Sequence, residues 1–210
     1  MHIFLRLQED YRCHSCFAFA SVGAVEGAHA IASRDLVALS EQEILDCSKP
    51  YGNAACQNGN YISSWEYIIK NGGIDTSAYY PYKSVSGFCN FSPDYVGAKI
   101  TSIRVIESGN EEALAEAVQM EGPVTVAIDH MHRVFQFYRE GVYSSSSCST
   151  DPRNATHEMV VVGYGTDATY GAYWIVKNSY GTTWGDGGYI LMRRGVNTCG
   201  IASDAGFPVV

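Results

Sequence analysis

The feature that most narrows the fold is a change of patterning half-way along the chain. Residues 16–32, Cys-Phe-Ala-Phe-Ala-Ser-Val-Gly-Ala-Val-Glu-Gly-Ala-His-Ala-Ile-Ala, spell one long helix with small and apolar residues on every side. Such a helix belongs in a core, since a surface helix would carry a polar stripe. Ser15 stands before it as an N-cap. Ser40-Glu41-Gln42-Glu43 is a capping-box spelling ahead of Ile44, Leu45 and Cys47, and marks a short second helix. Residues 61–70 make a third, stopped by Asn71-Gly72-Gly73, and residues 110–120 a fourth, ended by Gly122-Pro123. Short runs rich in β-branched and aromatic residues follow at 124–128, 159–164, 173–177 and 188–193, separated by glycine-rich turns. Helices first and strands later predict an α+β chain, with a helical lobe to about residue 108 and a mostly antiparallel β lobe from about 109 to 210. A site is expected in the cleft between two such lobes.

Composition limits what such a chain does. Its 210 residues are enough to bury a core without outside staples. A hydrophobic fraction of 46% against 17% charged residues is globular, and disorder needs the reverse balance. Lys+Arg 14 against Asp+Glu 22 gives a net charge of −8, with no basic cluster to neutralise phosphate, which argues against nucleic acid or an anionic membrane surface as partner. No apolar run approaches the ~20 residues that span a bilayer. The first ten residues lack the apolar length and cleavage site of a signal peptide, so secretion has to be argued from the cysteines. Seven widely spaced cysteines are easier to explain as disulfides than as reduced thiols, and an odd number leaves one over. The sequons at Asn90 and Asn154 add weak support for a secretory route.

Cys13-His14-Ser15-Cys16 opens the long helix, and three readings of it compete. A zinc site wants a second close Cys or His pair, which the remaining cysteines do not form. A dithiol redox motif wants a preceding strand in a βαβ unit, which the helical first half does not offer. The third reading puts Cys16 at a helix N-terminus, where the positive dipole end favours a thiolate. Alone, the motif would more readily be an inert buried cysteine. Downstream, however, His157 stands at the mouth of a strand in Thr156-His-Glu-Met-Val-Val-Val-Gly-Tyr-Gly165, and Asn178 follows Tyr173-Trp-Ile-Val-Lys177.

Cys16, His157 and Asn178, in this order on helical then β-type sequence, resemble the papain-like cysteine peptidases, in their cathepsin L-like branch. Ser40 to Cys47, Tyr80-Pro81-Tyr82, Gly122 to Ile128 and Cys199-Gly-Ile-Ala202 carry the same likeness, which runs from about Cys13 to Val210. The resemblance implies a two-lobed α+β fold with the active site in the cleft. It implies disulfides Cys13–Cys56, Cys47–Cys89 and Cys148–Cys199, with Cys16 remaining as a thiol. It also implies a peptide-hydrolysing site in which Cys16 attacks, His157 protonates the leaving amine and Asn178 orients the imidazole. Gly59 would offer its backbone to the substrate. Tyr61, Ala127, Ala155, Glu158 and Asp204 would line the pocket for the P2 residue, and the two carboxylates there would admit a basic P2 side chain. No metal and no cofactor is expected. The expected partners are peptide or protein substrates and cystatin-type or propeptide inhibitors, around a monomer of lysosomal, vacuolar or extracellular location.

Several positions depart from the family pattern. Asp10 stands where the oxyanion glutamine is expected, six residues before Cys16, and Gln8 would serve only with a two-residue insertion. His14 replaces a glycine, Phe17 a tryptophan, and Tyr180 the tryptophan that screens the His–Asn hydrogen bond. The chain begins about nine residues short of the family's usual mature start, and the reading is of a fragment, a processed form or a mis-started gene model. A second class therefore stays open beside the endopeptidase: a weak or inactive homologue that binds or scaffolds.

Overall fold

A computed structural model describes residues 13–210. The chain divides into two units, one running to Arg104 and taking back Pro208–Val210, the other Val105–Phe207. The first is built on α1 (Cys16–Ser33), which is buried along nearly its whole length, as small side chains on every face allow. Its one internal acid, Glu26, accepts the Leu39 N–H through Oε1 at 3.0 Å. Against α1 pack α2 (Glu41–Cys47) and α3 (Tyr61–Asn71), with Leu39, Ile44, Leu45, Trp65, Ile68 and Ile74 in the shared core. Trp65 Nε1–H donates to Ser21 O at 3.0 Å, tying α3 to the middle of α1. Asn60 caps α3 by accepting from Ser63 N–H at 2.8 Å. Gly72 ends α3 in the left-handed region at φ 83°. A two-stranded antiparallel ribbon, β1 (Ile74–Asp75) with β2 (Val96–Ala98), closes this unit. Disulfides Cys13–Cys56 and Cys47–Cys89 staple its loops.

Two capping expectations need correction. The Ser15 side chain makes no cap hydrogen bond to α1; its hydroxyl is turned to Cys13 O at 3.3 Å and Tyr82 Oη at 2.7 Å. The capping box at Ser40 is only half formed. Ser40 Oγ accepts from Glu43 N–H at 2.9 Å, but the Glu43 carboxylate faces inward and accepts from Tyr67 O–H and Asp75 N–H, each at 2.7 Å. The Ser40 N–H that would complete the box is buried and donates to Asp75 O at 3.0 Å instead.

β3 (Ser102–Val105) carries the chain out of the first unit. In the second, α4 (Glu111–Met120) is capped by Asn110, which accepts from Ala113 N–H at 2.9 Å. The sheet then runs β9-β4-β6-β7-β8-β5, from strands Ala205–Val209, Val124–Ile128, His157–Asp167, Gly171–Lys177, Tyr189–Arg193 and Val142–Tyr143 respectively. Its pairings are antiparallel except β5 with β8, which is parallel. Alternation along β8 buries Ile190 and Met192 in the core with Val126, Val161, Trp174 and Val176. β4 is buried throughout, which explains its unbroken Val-Thr-Val-Ala-Ile run. One turn of helix, α5 (Arg133–Gln136), follows β4 and buries Phe135, and no capping residue announces it in the sequence. The Cys148–Cys199 disulfide lies in this unit.

Burial raises the Glu43 carboxyl from 4.5 to about 7; the Tyr67 and Asp75 hydrogen bonds oppose that rise and the nearby Asp75 charge adds to it. The folded chain thus binds this proton more tightly than the unfolded chain does. The stabilisation is complete below the ordinary carboxyl range and is lost as pH rises through about 7, a swing of roughly 3 kcal/mol. Glu43→Gln, which imitates the protonated acid, is expected to flatten that dependence. Urea midpoints at pH 5 and pH 8 with the disulfides intact check this: the wild-type midpoint falls between the two, and the variant's falls by less than half as much.

Candidate active site

Cys16 is the first residue of α1, half-buried and in none of the three disulfides. A thiol at this position meets the positive end of an 18-residue helix, which lowers the cost of a thiolate. The Ser15 hydroxyl, turned away to Cys13 and Tyr82, does not compete for that helix end. His14 is exposed, and Phe17 is buried at 1% exposure.

Gly59 lies in the same unit, before α3. A Cβ built on it would come within 2.5 Å of the Phe17 ring, far inside contact distance. The glycine is therefore required by the residue that follows Cys16. Tyr61, the first residue of α3, is buried and packs edge-to-face on Trp65 at 4.9 Å.

In the second unit the sheet register brings His157 and Asn178 together. Val160 pairs with Lys177 across β6 and β7, so Asn178, one residue past β7, falls beside the start of β6, where His157 is the first residue. His157 Nε2–H donates to Asn178 Oδ1 at 2.7 Å, and Oδ1 also accepts the Ser179 N–H at 2.8 Å. Two donors on one oxygen fix which way the amide faces and which ring nitrogen carries hydrogen. Nδ1 is left to exchange a proton. Both residues are buried, His157 at 4% and Asn178 at 2% exposure. Tyr180 lies against the imidazole with ring centroids 4.9 Å apart, and Trp184 meets Tyr180 edge-on at 5.6 Å. Tyr180, which stands where the family pattern has a tryptophan, thus still places an aromatic ring beside the imidazole. Burial pushes the imidazole down to about 3 and neighbouring His130 adds to this, against the Asn178 hydrogen bond. An imidazolium here has to be sustained by an anion.

Of the other residues expected at a P2 pocket, Ala127 stands directly across the ladder from Glu158, and its N–H donates to Asp204 O at 2.9 Å. Glu158 is buried at 8% exposure, so its carboxylate is not on the open surface, while Asp204 and Ala155 are half-buried. Ala127, Glu158 and Asp204 are thus neighbours along two adjoining strand pairings. Gln8 and Asp10 lie outside the described residues. Among the described residues no group of three or more His, Cys, Asp or Glu side chains is placed to hold a metal ion. Sequence reasoning missed His130, whose ring lies 4.7 Å from that of His157; Asp129-His-Met-His132 carries no spacing that points to it.

A family model described as papain family cysteine protease matches residues 4–209. Cathepsin L1 of Drosophila melanogaster is 48% identical over 205 residues, covering 97% of this chain and 55% of that protein. Digestive cysteine proteinase 3 of Homarus americanus is 46% identical, over 97% of this chain and 63% of that protein. The structure of digestive procathepsin L 3 of the Tenebrio molitor larval midgut superposes with a TM-score of 0.93 at 37% identity, over 99% of this chain and 67% of that one. The chain thus spans between about half and two thirds of the length of these relatives.

Gly59→Ala is expected to destabilise the protein by about 1–3 kcal/mol, because the Phe17 ring has no way to absorb a Cβ without moving. In a Phe17→Leu background the same change should cost measurably less. Thermal or urea unfolding of the four proteins in that cycle checks the coupling; equal costs in both backgrounds would mean the ring is not what excludes a side chain.

Proposed function

The chain belongs to the papain family of cysteine proteases, and on that premise we propose that it is a cysteine-type endopeptidase using Cys16, His157 and Asn178. The observation that carries the reading is the buried His157 Nε2–H···Oδ1 Asn178 hydrogen bond, which leaves Nδ1 as the proton-exchanging atom. A neutral thiol is a weak nucleophile, so the step needs a thiolate, and the helix N-terminus and an imidazolium both favour one. The buried imidazole in turn needs an anion to keep its proton at working pH. Each charge thus supports the other, and their titrations belong to the pair. Attack of the Cys16 sulfur on the scissile carbonyl forms a tetrahedral oxyanion. Proton transfer from Nδ1 to the leaving nitrogen releases the amine and leaves a thioester, which water hydrolyses with His157 as base.

Substrates in this reading are peptides or proteins that lie along Gly59, with the P2 side chain against Tyr61, Ala127, Ala155, Glu158 and Asp204. The burial of Glu158 beside Asp204 favours a cationic P2 residue as well as an apolar one. The relatives' names, cathepsin L and digestive proteinases, support lysosomal, vacuolar or secreted settings, and the procathepsin neighbour supports a propeptide as partner.

A peptidyl epoxide is expected to label Cys16 stoichiometrically in the intact protein; absence of labelling, with the fold verified by circular dichroism, would favour the binding or scaffold alternative. Asn178→Ala should lower kcat by roughly a hundredfold with KM little changed, since it removes orientation rather than binding. Asp204→Ala should reduce kcat/KM for a peptide with Arg at P2 by at least about tenfold and leave its Leu counterpart within about twofold. Equal effects on both peptides would sink the P2 assignment.

A further inference from the structure

A second histidine lies against the catalytic one. His130 follows β4, and its ring centroid is 4.7 Å from that of His157 with the planes tilted by 38°. It is held firmly. His130 Nδ1 and Thr156 Oγ1 are 2.8 Å apart, the His130 N–H meets the same hydroxyl at 3.4 Å, and Thr156 N–H donates to Ile128 O at 2.9 Å. Thr156 immediately precedes His157, so one hydroxyl fixes the second ring to the backbone that carries the first. Nothing in a Cys–His–Asn mechanism requires a histidine at position 130.

His157 needs more than its one hydrogen bond. Bonding at Nε2 pins one point of the ring, and a ring pinned at one point still swings about that point. Contact on a ring face is what fixes its plane, and with it the direction of Nδ1. Tyr180 supplies one such contact at 4.9 Å and His130 another; Phe135 stands farther off, edge-on, at 6.3 Å.

Building on the endopeptidase reading, we propose that His130 is a positioning residue for His157, setting the plane of the catalytic imidazole and the ease with which it holds its proton. Two cationic rings at this separation repel, so the pair takes its two protons in separate steps. Burial lowers the His130 imidazole to about 4; the Asp129 carboxylate opposes this and His132 adds to it. Asp129 and His132, 3.2 Å apart on the same segment, and Tyr180 beyond β7 are among the titratable groups of the second unit set around this pair, with Glu158 next to His157 in sequence and Tyr143 close enough to feel the Asp129 charge. Over most of the pH range His130 is thus an uncharged packing ring, and in acid it competes with His157 for a proton.

The test separates packing from charge. His130→Ala should lower kcat about five- to tenfold with KM within about twofold, and His130→Phe, which restores a ring without a titrating group, should return kcat to within about twofold of wild type. In the Cys16→Ser protein, followed by NMR of the histidine ring carbons, His157 should titrate at least about half a pH unit higher in His130→Gln than with His130 present. A merely structural residue would shift thermal stability without the kcat-only loss, the rescue by Phe or the moved titration. If His130→Ala fails to fold, the Phe and Gln arms still decide. Wild-type turnover with unchanged kcat in His130→Ala, equal losses in Ala and Phe, or an unmoved His157 titration would each overturn the proposal. A wild-type protein that neither cleaves peptides nor is labelled at Cys16 would instead overturn the endopeptidase reading, and this inference with it.

Discussion

The constraint on which the second unit turns is the burial of an imidazole. His157 at 4% exposure cannot rely on water to choose its tautomer or hold its plane, so the protein has to do both. The tautomer is set by Asn178 Oδ1, and that oxygen is itself oriented by the Ser179 N–H. The first contact follows from the sheet, since the β6–β7 register places the residue after β7 beside the start of β6, and the second is local, between consecutive residues. The strands carry no chemistry themselves. They convert two residues 21 apart in sequence into a hydrogen-bonded pair.

The first unit solves a different problem. The proposed nucleophile at a helix N-terminus gains from the helix dipole only if that helix is fixed, and α1 is fixed by burial on nearly every side. Glu26 and Ser21 show how the helix meets its neighbours through polar contacts without exposing itself, one accepting from Leu39 and the other from Trp65. Gly59 shows the same constraint from outside, because the loop before α3 approaches the Phe17 ring so closely that a single carbon does not fit. The glycine that the family resemblance gives to substrate contact is thus also dictated by packing beside Cys16, and the two demands fall on one position.

How much of this was legible in the sequence depended on whether the signal was local. The all-round apolar run of α1, the Asn-Gly-Gly stop of α3, the Gly-Pro end of α4 and the β-branched run of β4 are local, and each element formed where its pattern lies. The cap roles of Ser15 and Glu43 were not legible, because tertiary partners outbid the local backbone: Tyr82 for one, Tyr67 and Asp75 for the other. The cysteine pairing came from resemblance, since spacing alone does not choose among the ways of joining six cysteines. His130 was invisible for a related reason. Its partner is 27 residues away and is reached only through strand pairing, and a lone histidine in a loop has no pattern to give it away.

Burial also sets a common direction in pH for the two units. Glu43 is held uncharged by its surroundings until about pH 7, so its own contribution to the stability of the helical unit is greatest in acid. His157, held down by burial, keeps a proton more readily the more acid the medium, and its charge has to be matched by an anion. Acid therefore favours both the protonated carboxyl that stabilises one unit and the protonated imidazole that the proposed chemistry needs in the other. His130 limits how far this goes, because its own protonation places a second positive charge against the first. Mild acidity, above the range in which His130 takes up its proton and below that in which Glu43 loses one, keeps His130 neutral and Glu43 protonated, and there the charge on His157 depends on its anion rather than on acid alone.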